Sequence, residues 1–207
     1  MNLRLGVPKE PENETRVGIV PSSMKKLLKA GFEVLVEKGA GVSANYSDAE
    51  YEAAGAKIVS RVDALACENI VCINFPGIEG ISENTNLACV ADPFRNPEYV
   101  KQCISSNITL MSMDMIPRRL SRAQSMDVNS SQDNLAGYKA VLLGAANVPK
   151  GIPMMTTSAG TVRPAKVVVM GSGVAGLQAI ATAKRLGAVV YASCLLYTSD
   201  AADERNS

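Results

Sequence analysis

A run of β-branched residues leads directly into a cluster of glycines late in this chain of 207 residues, and this pattern constrains the fold most strongly. Residues 165–170 read Ala-Lys-Val-Val-Val-Met, which is typical of a short strand. A six-residue G-x-G-x-x-G loop follows, then a helical stretch at 177–187 and a second strand-like stretch at 188–192. The order strand, glycine loop, helix and strand is typical of a parallel α/β unit that binds a dinucleotide.

Each glycine of this loop has its own expected role. Gly171 permits a tight turn, Gly173 lets a pyrophosphate approach the backbone, and Gly176 lets the helix pack against the strand. The N–H groups at the start of the helix then face the diphosphate. The alternative is a turn with a purely structural role. We predict a cofactor-binding loop formed by Gly171, Ser172, Gly173, Val174, Ala175 and Gly176.

The end of the chain departs from this pattern. The fingerprint expects an acidic residue about 20 positions after the first glycine, to hold a ribose hydroxyl, and Cys194 stands near that position. Residues 194–204 are similar to a translated sequencing adaptor, so we expect 194–207 to be a non-native tail. The preference between NAD and NADP therefore does not follow from this position.

Strand-like and helical segments alternate along the rest of the chain. Apolar and β-branched runs predict strands at 3–8, 32–37, 57–59, 70–75, 87–91 and 108–113. Helical spacing and cap signals predict helices from 24, at 47–55, at 97–103 and from 130 or 131 to 146. Because the strands are almost continuously apolar, we expect parallel sheets with both faces covered.

The predicted fold class is α/β, with two doubly wound parallel-sheet, Rossmann-like domains, the second truncated. We expect an N-terminal α/β domain at 1–146, an inter-domain linker at 147–164, and the start of an NAD-binding domain at 165–193. The linker assignment depends on a stretch rich in proline, glycine and threonine.

Composition narrows the possible functions. There are 21 basic and 20 acidic residues and no long basic run, which argues against nucleic acid as a partner. No apolar run reaches the roughly 18 residues of a membrane span, and the first residues do not resemble a secretory leader, so we expect a cytoplasmic protein. The absence of histidine removes the commonest metal ligand and general base. The five cysteines lack metal or disulfide spacing, so we expect buried thiols and no metal site.

A polar segment follows the strand predicted at 108–113. It contains Arg119, Gln124, Asp127 and Ser130, and the carboxyl ends of parallel strands are where such sheets bind ligands. The arginine could hold an anionic or carboxamide group, Gln124 could pair with an amide, and Asp127 and Ser130 could fix ribose or nicotinamide. The alternative is a solvated loop with a helix cap at Ser130. The residues alone leave both interpretations open.

Taken together, these segments resemble the NAD(H)-binding domain I of proton-translocating NAD(P) transhydrogenase alpha subunits, from residue 1 to about 193. Short motifs carry the resemblance, at 6–10 (Gly-Val-Pro-Lys-Glu), 13–17 (Asn-Glu-Thr-Arg-Val), 121–127 (Ser-Arg-Ala-Gln-Ser-Met-Asp), 134–138 (Asn-Leu-Ala-Gly-Tyr) and 164–177. Residues 153–156 and 160–161 are more similar to the bacterial form in which this domain is a separate soluble polypeptide.

The resemblance implies a homodimeric domain I that binds NADH and passes hydride to NADP⁺ on a partner domain of the beta subunit. Transfer is coupled to proton translocation through a membrane domain, which would place this chain at the cytoplasmic face of the inner membrane. The resemblance assigns Arg119, Gln124, Asp127 and Ser130 to the nicotinamide end. Direct hydride transfer depends on apposition, which suits a chain without histidine.

Two positions depart from the family pattern, and two alternatives stay open. Cys72 stands where the family carries lysine, and Asn129 where it carries an apolar residue. Alanine dehydrogenases share the layout and the surroundings of Arg16, but should present a catalytic lysine and histidine. Those positions read Cys72 and fall near Asp92 here, so oxidative deamination lacks both groups. The second alternative is a non-catalytic dinucleotide-binding module, which Cys72 and Asn129 favour slightly.

Overall fold

The computed structural model describes residues 3–117 and 120–193. The chain divides into two compact units, with Met126 the last residue of the first and Asp127 the first residue of the second. Among the described residues, no helix is both long and apolar enough to cross a membrane. Both units combine parallel strands with helices, as the alternating sequence pattern predicts.

The first unit is built on a six-stranded parallel sheet. Its strands are β1 (Leu3–Val7), β2 (Phe32–Glu37), β3 (Lys57–Val59), β4 (Asn69–Asn74), β5 (Asn86–Val90) and β6 (Thr109–Ser112). Their order is β3-β2-β1-β4-β5-β6, and each neighbouring pair is parallel. The chain therefore starts at the centre and builds outward in both directions, which is the doubly wound arrangement. The six strands predicted in this region and the predicted fold class are confirmed.

Short helices connect these strands. They are α1 (Met24–Lys29), α2 (Asp48–Ala53), α3 (Arg61–Leu65) and α4 (Pro97–Ser105). A capping box starts α2, where the Ser47 hydroxyl accepts from the Glu50 N–H and the Glu50 carboxylate accepts from the Ser47 N–H. The sequence did not predict α3, because five residues are too few to show an apolar period.

The core of the first unit consists of two clusters along the sheet. One surrounds β1 and β2, where the buried Tyr51 donates a hydrogen bond to the carbonyl of Ile19. The other surrounds β4 and β5. Cysteines 67, 72, 89 and 103 are all free and buried, which confirms that they act as small apolar residues. The fifth cysteine, Cys194, lies outside the described residues.

The second unit contains a long helix and the glycine motif. Its elements are α5 (Val128–Asn147), a hairpin of β7 (Met155–Thr157) and β8 (Gly160–Val162), β9 (Lys166–Met170), α6 (Val174–Arg185) and β10 (Val189–Ser193). Strands β9 and β10 pair in parallel, in the register Val167↔Val190. The predicted strand, glycine loop, helix and strand are thus present in that order.

The division between the units differs from the predicted domain boundary. We expected the long helix to close the N-terminal domain at residue 146, but α5 belongs to the second unit because it packs closely against α6. The stretch predicted as a linker, 147–164, contains the hairpin of β7 and β8. Sequence pattern places elements along the chain, but it does not show which neighbour an amphipathic helix contacts.

Candidate functional site

The glycine loop between β9 and α6 has the geometry that a pyrophosphate site needs. Gly171 has a φ of 103°, a left-handed conformation that a side chain disfavours. A Cβ placed on Gly176 would lie 2.0 Å from the Gly171 carbonyl oxygen, so the helix packs against the loop only because residue 176 has no side chain. A Cβ placed on Gly173 would meet nothing within 4 Å in the described part of the chain. The backbone at Gly173 therefore faces open space that a ligand can enter.

The start of α6 presents backbone donors toward that space. Gly173 is the N-cap of the helix, and among the described residues no side chain caps it. The first N–H groups of any helix have no acceptor within the helix, and the helix dipole places partial positive charge there. Within α6, the bond from the Leu177 N–H to the Gly173 carbonyl, at 2.8 Å, begins the helical ladder. The N–H groups of Val174, Ala175 and Gly176 are therefore placed to bind an anion.

Asp127 and Ser130 lie together at the start of α5. Asp127 caps the helix: its Oδ1 accepts from the Ser130 N–H at 2.9 Å, and its Oδ2 accepts from the Ser130 hydroxyl at 2.5 Å. The Asp127 side chain is largely buried, while Ser130 is half-buried. The sequence favoured Ser130 as the cap, and that prediction is wrong because Asp127, three residues earlier, takes this position. A capping role for Asp127 is compatible with ligand binding, since a carboxylate accepts several hydrogen bonds.

The structure does not unite the remaining predicted nicotinamide residues with this pair. Gln124 is exposed in a 3-10 turn (Gln124–Met126) of the first unit. Arg119 lies outside the described residues. Their assignment to the nicotinamide end remains a prediction from the resemblance.

The second unit also contains an apolar cleft of about 450 Å³ along β9, α5 and α6. Its wall is formed by small and aliphatic side chains, and among the described residues Lys166 is the one charged residue that lines it. A dinucleotide needs several convergent polar groups to fix its phosphates and sugars. The cleft therefore suits a packing partner rather than a charged nucleotide.

The first unit has a polar cavity of about 280 Å³ where β1 and β4 end, at the point where the strand order reverses. The buried Glu10 carboxylate accepts from the backbone N–H groups of Ile73 and Asn74 at 2.5 and 3.1 Å. The Asn74 side-chain amide donates to Glu10 and to Glu14, at 3.1 and 3.3 Å. These bonds hold two carboxylates at one end of the sheet.

Arg16, which lies in the region shared with alanine dehydrogenases, is an ion-pair partner of Glu14. Its guanidinium donates to both Glu14 oxygens, at 2.9 and 2.7 Å. The hydrogen bond from Arg16 lowers the pKa of Glu14 to about 2, and the same bond raises the pKa of Arg16. The positive charge that would attract a substrate carboxylate is therefore already neutralised within the loop.

Cys72 replaces the family lysine and lies in the wall of the polar cavity. Its side chain is buried beside the Cys89 thiol. The hydrogen bond with Cys89 and the burial together raise the pKa of Cys72, so the thiol stays protonated and unreactive near neutral pH. Cys72 thus supplies neither the charge nor the amine of the lysine that it replaces.

Gly137 is a residue whose importance the sequence did not reveal. It lies in the segment 134–138 that carries some of the resemblance, but no role followed from it. In the structure Gly137 is buried in the interior of α5, against the first turn of α6. A glycine inside a helical pattern is itself a sign of close packing, and that signal was present.

Comparisons with known proteins agree with this architecture. The sequence model of the family described as "Alanine dehydrogenase/PNT, N-terminal domain" matches residues 6–136, and that of "Alanine dehydrogenase/PNT, C-terminal domain" matches residues 140–198. An NAD(P) transhydrogenase subunit alpha from Rhodospirillum rubrum is 48% identical over 202 residues, which cover 92% of this chain and 52% of that protein. The chain thus spans about half the length of this relative.

Solved structures give the same ranking of relatives. A transhydrogenase from Sinorhizobium meliloti superposes with a TM-score of 0.91 at 44% identity, covering 98% of this chain and 61% of that one. An L-alanine dehydrogenase superposes with a TM-score of 0.79 at 30% identity, covering 90% of this chain and 53% of that one. The chain is therefore more similar to the transhydrogenase than to the dehydrogenase, in sequence and in structure.

Proposed function

The chain belongs to the alanine dehydrogenase/PNT family, and on that premise we propose that it is the NAD(H)-binding component of a proton-translocating NAD(P) transhydrogenase alpha subunit. The observation that carries this proposal is the open backbone at Gly173 together with the uncapped start of α6. The transhydrogenase relatives share more sequence with the chain than the alanine dehydrogenase does. The bound nucleotide supplies the hydride, and the protein supplies position.

In this proposal the chain acts by binding and orienting. The N–H groups of Val174, Ala175 and Gly176 bind the diphosphate of NADH, with Gly171 and Ser172 shaping the turn. Asp127 and Ser130 orient the nicotinamide end, together with Gln124 and Arg119. Because hydride passes directly between two nicotinamide rings, no protein group needs to exchange a proton in that step. A chain with no histidine can support such a reaction.

The acceptor and the coupling belong to partners. We propose that NADP⁺ is held by a domain of the beta subunit, and that a membrane domain of the same complex translocates the proton. The chain would then lie at the cytoplasmic face of the inner membrane through its partners. A homodimer is also included in the proposal, and exposed apolar side chains on the hairpin, Met155 and Val162, support an interface there.

Alanine dehydrogenation is the second candidate, and two observations argue against it. The lysine position holds the buried thiol of Cys72, which has no amine to assist deamination. The guanidinium of Arg16 already pairs with Glu14 rather than facing an open site. A module that binds a dinucleotide without turnover would keep the glycine loop and lose only hydride transfer.

One assay separates the three candidates. The full-length protein is mixed with the NADP(H)-binding partner domain, and hydride transfer from NADH is followed by absorbance with an NADP⁺ analogue. In parallel, NAD⁺ reduction is measured with L-alanine. We expect hydride transfer in the first assay and no reduction in the second. Alanine-dependent reduction would favour the dehydrogenase, and NADH binding without transfer would favour the non-catalytic module.

A further inference from the structure

Helices α5 and α6 approach each other more closely at Gly137 than any side chain allows. A Cβ built on Gly137 would lie 2.1 Å from the carbonyl oxygen of Ala175, 2.8 Å from its carbonyl carbon and 3.0 Å from its Cα. The obstructing atoms are backbone, so no rotamer change can relieve the contact. Gly137 is buried, and it lies near the middle of α5. The absence of a side chain at residue 137 is what permits this helix pair.

The contact point lies at the functional end of α6. Ala175 belongs to the glycine loop and to the first turn of α6, where the backbone donors face open space. On the other helix, Ser130 precedes Gly137 by seven residues, which is roughly 10 Å along an α-helix. The contact therefore joins the diphosphate turn of α6 to a helix whose start carries Asp127 and Ser130.

We propose that Gly137 is a positioning residue, which sets the diphosphate-binding turn of α6 against α5 so that both ends of one dinucleotide are bound at the same time. The inference rests on the proposed function, because it needs NADH as the ligand. Gly137 itself does not contact the nucleotide. It acts through Ala175, and therefore through the direction and height of the first N–H groups of α6.

The chain supplies its own control on the same helix. Gly144 lies two turns after Gly137, and a Cβ built there would meet nothing within 4 Å among the described residues. Glycine is unfavourable in a helix interior because it loses more backbone entropy than alanine. Packing accounts for the glycine at 137, whereas at 144 it does not. Replacing each glycine with alanine therefore changes helix propensity equally and changes the contact between helices only at residue 137.

The expected effect follows from the distances. To restore an ordinary contact, an alanine at 137 must push the two helices apart by roughly 1 Å. A misplacement of that size lowers a transfer rate that depends on orientation by about a hundredfold. NADH binding weakens by about tenfold, because the strain of an overpacked contact opposes the bound geometry. A ligand that uses only the start of α6 escapes most of this loss.

The test compares Gly137→Ala with Gly144→Ala in the full-length protein, using two ligands. NADH engages both helix starts, and ADP-ribose lacks the nicotinamide that the start of α5 would orient. We expect Gly137→Ala to weaken NADH by about tenfold and ADP-ribose by no more than about twofold. Gly144→Ala should change neither affinity. Equal losses for both ligands, or no loss in Gly137→Ala, would overturn the positioning role.

A measurement on the unaltered protein covers the case in which Gly137→Ala does not fold. Amide hydrogen exchange is followed with NADH and with ADP-ribose. NADH should slow exchange at the starts of both helices, and ADP-ribose should do so only at the start of α6. Protection at α6 alone in both complexes would overturn the inference. If the unaltered protein binds no NADH at all, the proposed function itself fails, which is a separate outcome.

Discussion

The hydroxyl of Ser130 donates a 2.5 Å hydrogen bond to Oδ2 of Asp127, while the Ser130 N–H donates to Oδ1 of the same carboxylate. One residue thus binds both oxygens of its helix cap. The cap fixes the rotamer of Asp127, whose side chain is largely buried. Two residues that the resemblance assigns to nicotinamide orientation are therefore rigid before any ligand binds, which favours a role in geometry.

Replacing Asp127 tests capping and orientation separately. Asp127→Ala should destabilise the protein by about 1 kcal/mol through loss of the cap, whereas Asp127→Asn should cost less because asparagine caps almost as well. We expect Asp127→Asn to slow single-turnover hydride transfer more than it weakens NADH binding. Ser131→Ala is the control, because the Ser131 hydroxyl bonds to the Asp127 backbone carbonyl and not to its carboxylate. A normal rate with collapsed affinity in Asp127→Asn would contradict the orienting role.

Two glycines of the loop should fail in different ways. The space beside Gly173 accommodates a side chain in the free protein, so Gly173→Val should fold with an unchanged Tm yet lose NADH binding. Gly176→Ala should lower the Tm as well, because its Cβ would meet the Gly171 carbonyl oxygen at 2.0 Å. Calorimetry and NADH titration of both variants check this. Full NADH affinity in Gly173→Val would remove the glycine loop from the nucleotide site.

The ion pair of Glu14 with Arg16 should make stability depend on pH in the acid range. The pKa of Glu14 is about 2 in the folded state, against 4.5 for an unperturbed glutamate. A lowered pKa contributes stability above about pH 4.5, and this contribution disappears as the pH falls toward 2. Because Arg16 is partly exposed, we expect a contribution of about 1–2 kcal/mol at pH 7.

Urea unfolding of Glu14→Gln at several pH values measures that contribution. The difference in unfolding free energy from the unaltered protein should be largest at neutral pH and vanish near pH 2. Glu12→Gln, at an exposed position in the same loop, is the control and should show no such trend. A difference that does not change with pH would mean that Glu14 stabilises the loop by hydrogen bonding or packing rather than through its charge.

The four cysteines of the first unit should be chemically silent in the folded protein. Burial raises the pKa of Cys67 and Cys103, and the pKa of Cys72 is raised by its bond with Cys89 and by burial. Protonated, buried thiols react slowly with disulfide reagents. In a Cys194→Ser background, we expect no fast titration of thiols until denaturant is added, when four should appear. A fast-reacting thiol in the native state would contradict the packing described for β4 and β5.

The sequence predicted the sheet of the first unit well, because its strands are short apolar runs separated by turn residues. It also predicted the glycine loop, since each glycine there has a local steric reason that needs no tertiary information. The short helix α3 was missed, although Ser60 and Asp63 give a weak cap signal. Elements with a strong local pattern can thus be predicted from sequence alone.

Features that depend on contacts between distant residues could not be predicted. The sequence did not show that α5 packs on α6, because an apolar face does not identify its partner. For the same reason the glycine at 137 had no assigned role, although Ala175 sits against it from a distant point of the chain. The neutralisation of Arg16 depends on loop geometry that brings Glu14 and Asn74 together. Arg119 lies outside the described residues, so its role stays a prediction.

The proposed function depends above all on the loop between β9 and α6 binding the diphosphate of NADH. A crystal structure of the full-length protein with NADH is the decisive experiment. We predict phosphate oxygens at about 2.7–3.2 Å from the backbone nitrogens of Val174 and Ala175, with a phosphate over Gly173. The nicotinamide ring should then lie toward Asp127 and Ser130. Diphosphate density elsewhere, in the apolar cleft or in the polar cavity of the first unit, would contradict the proposal.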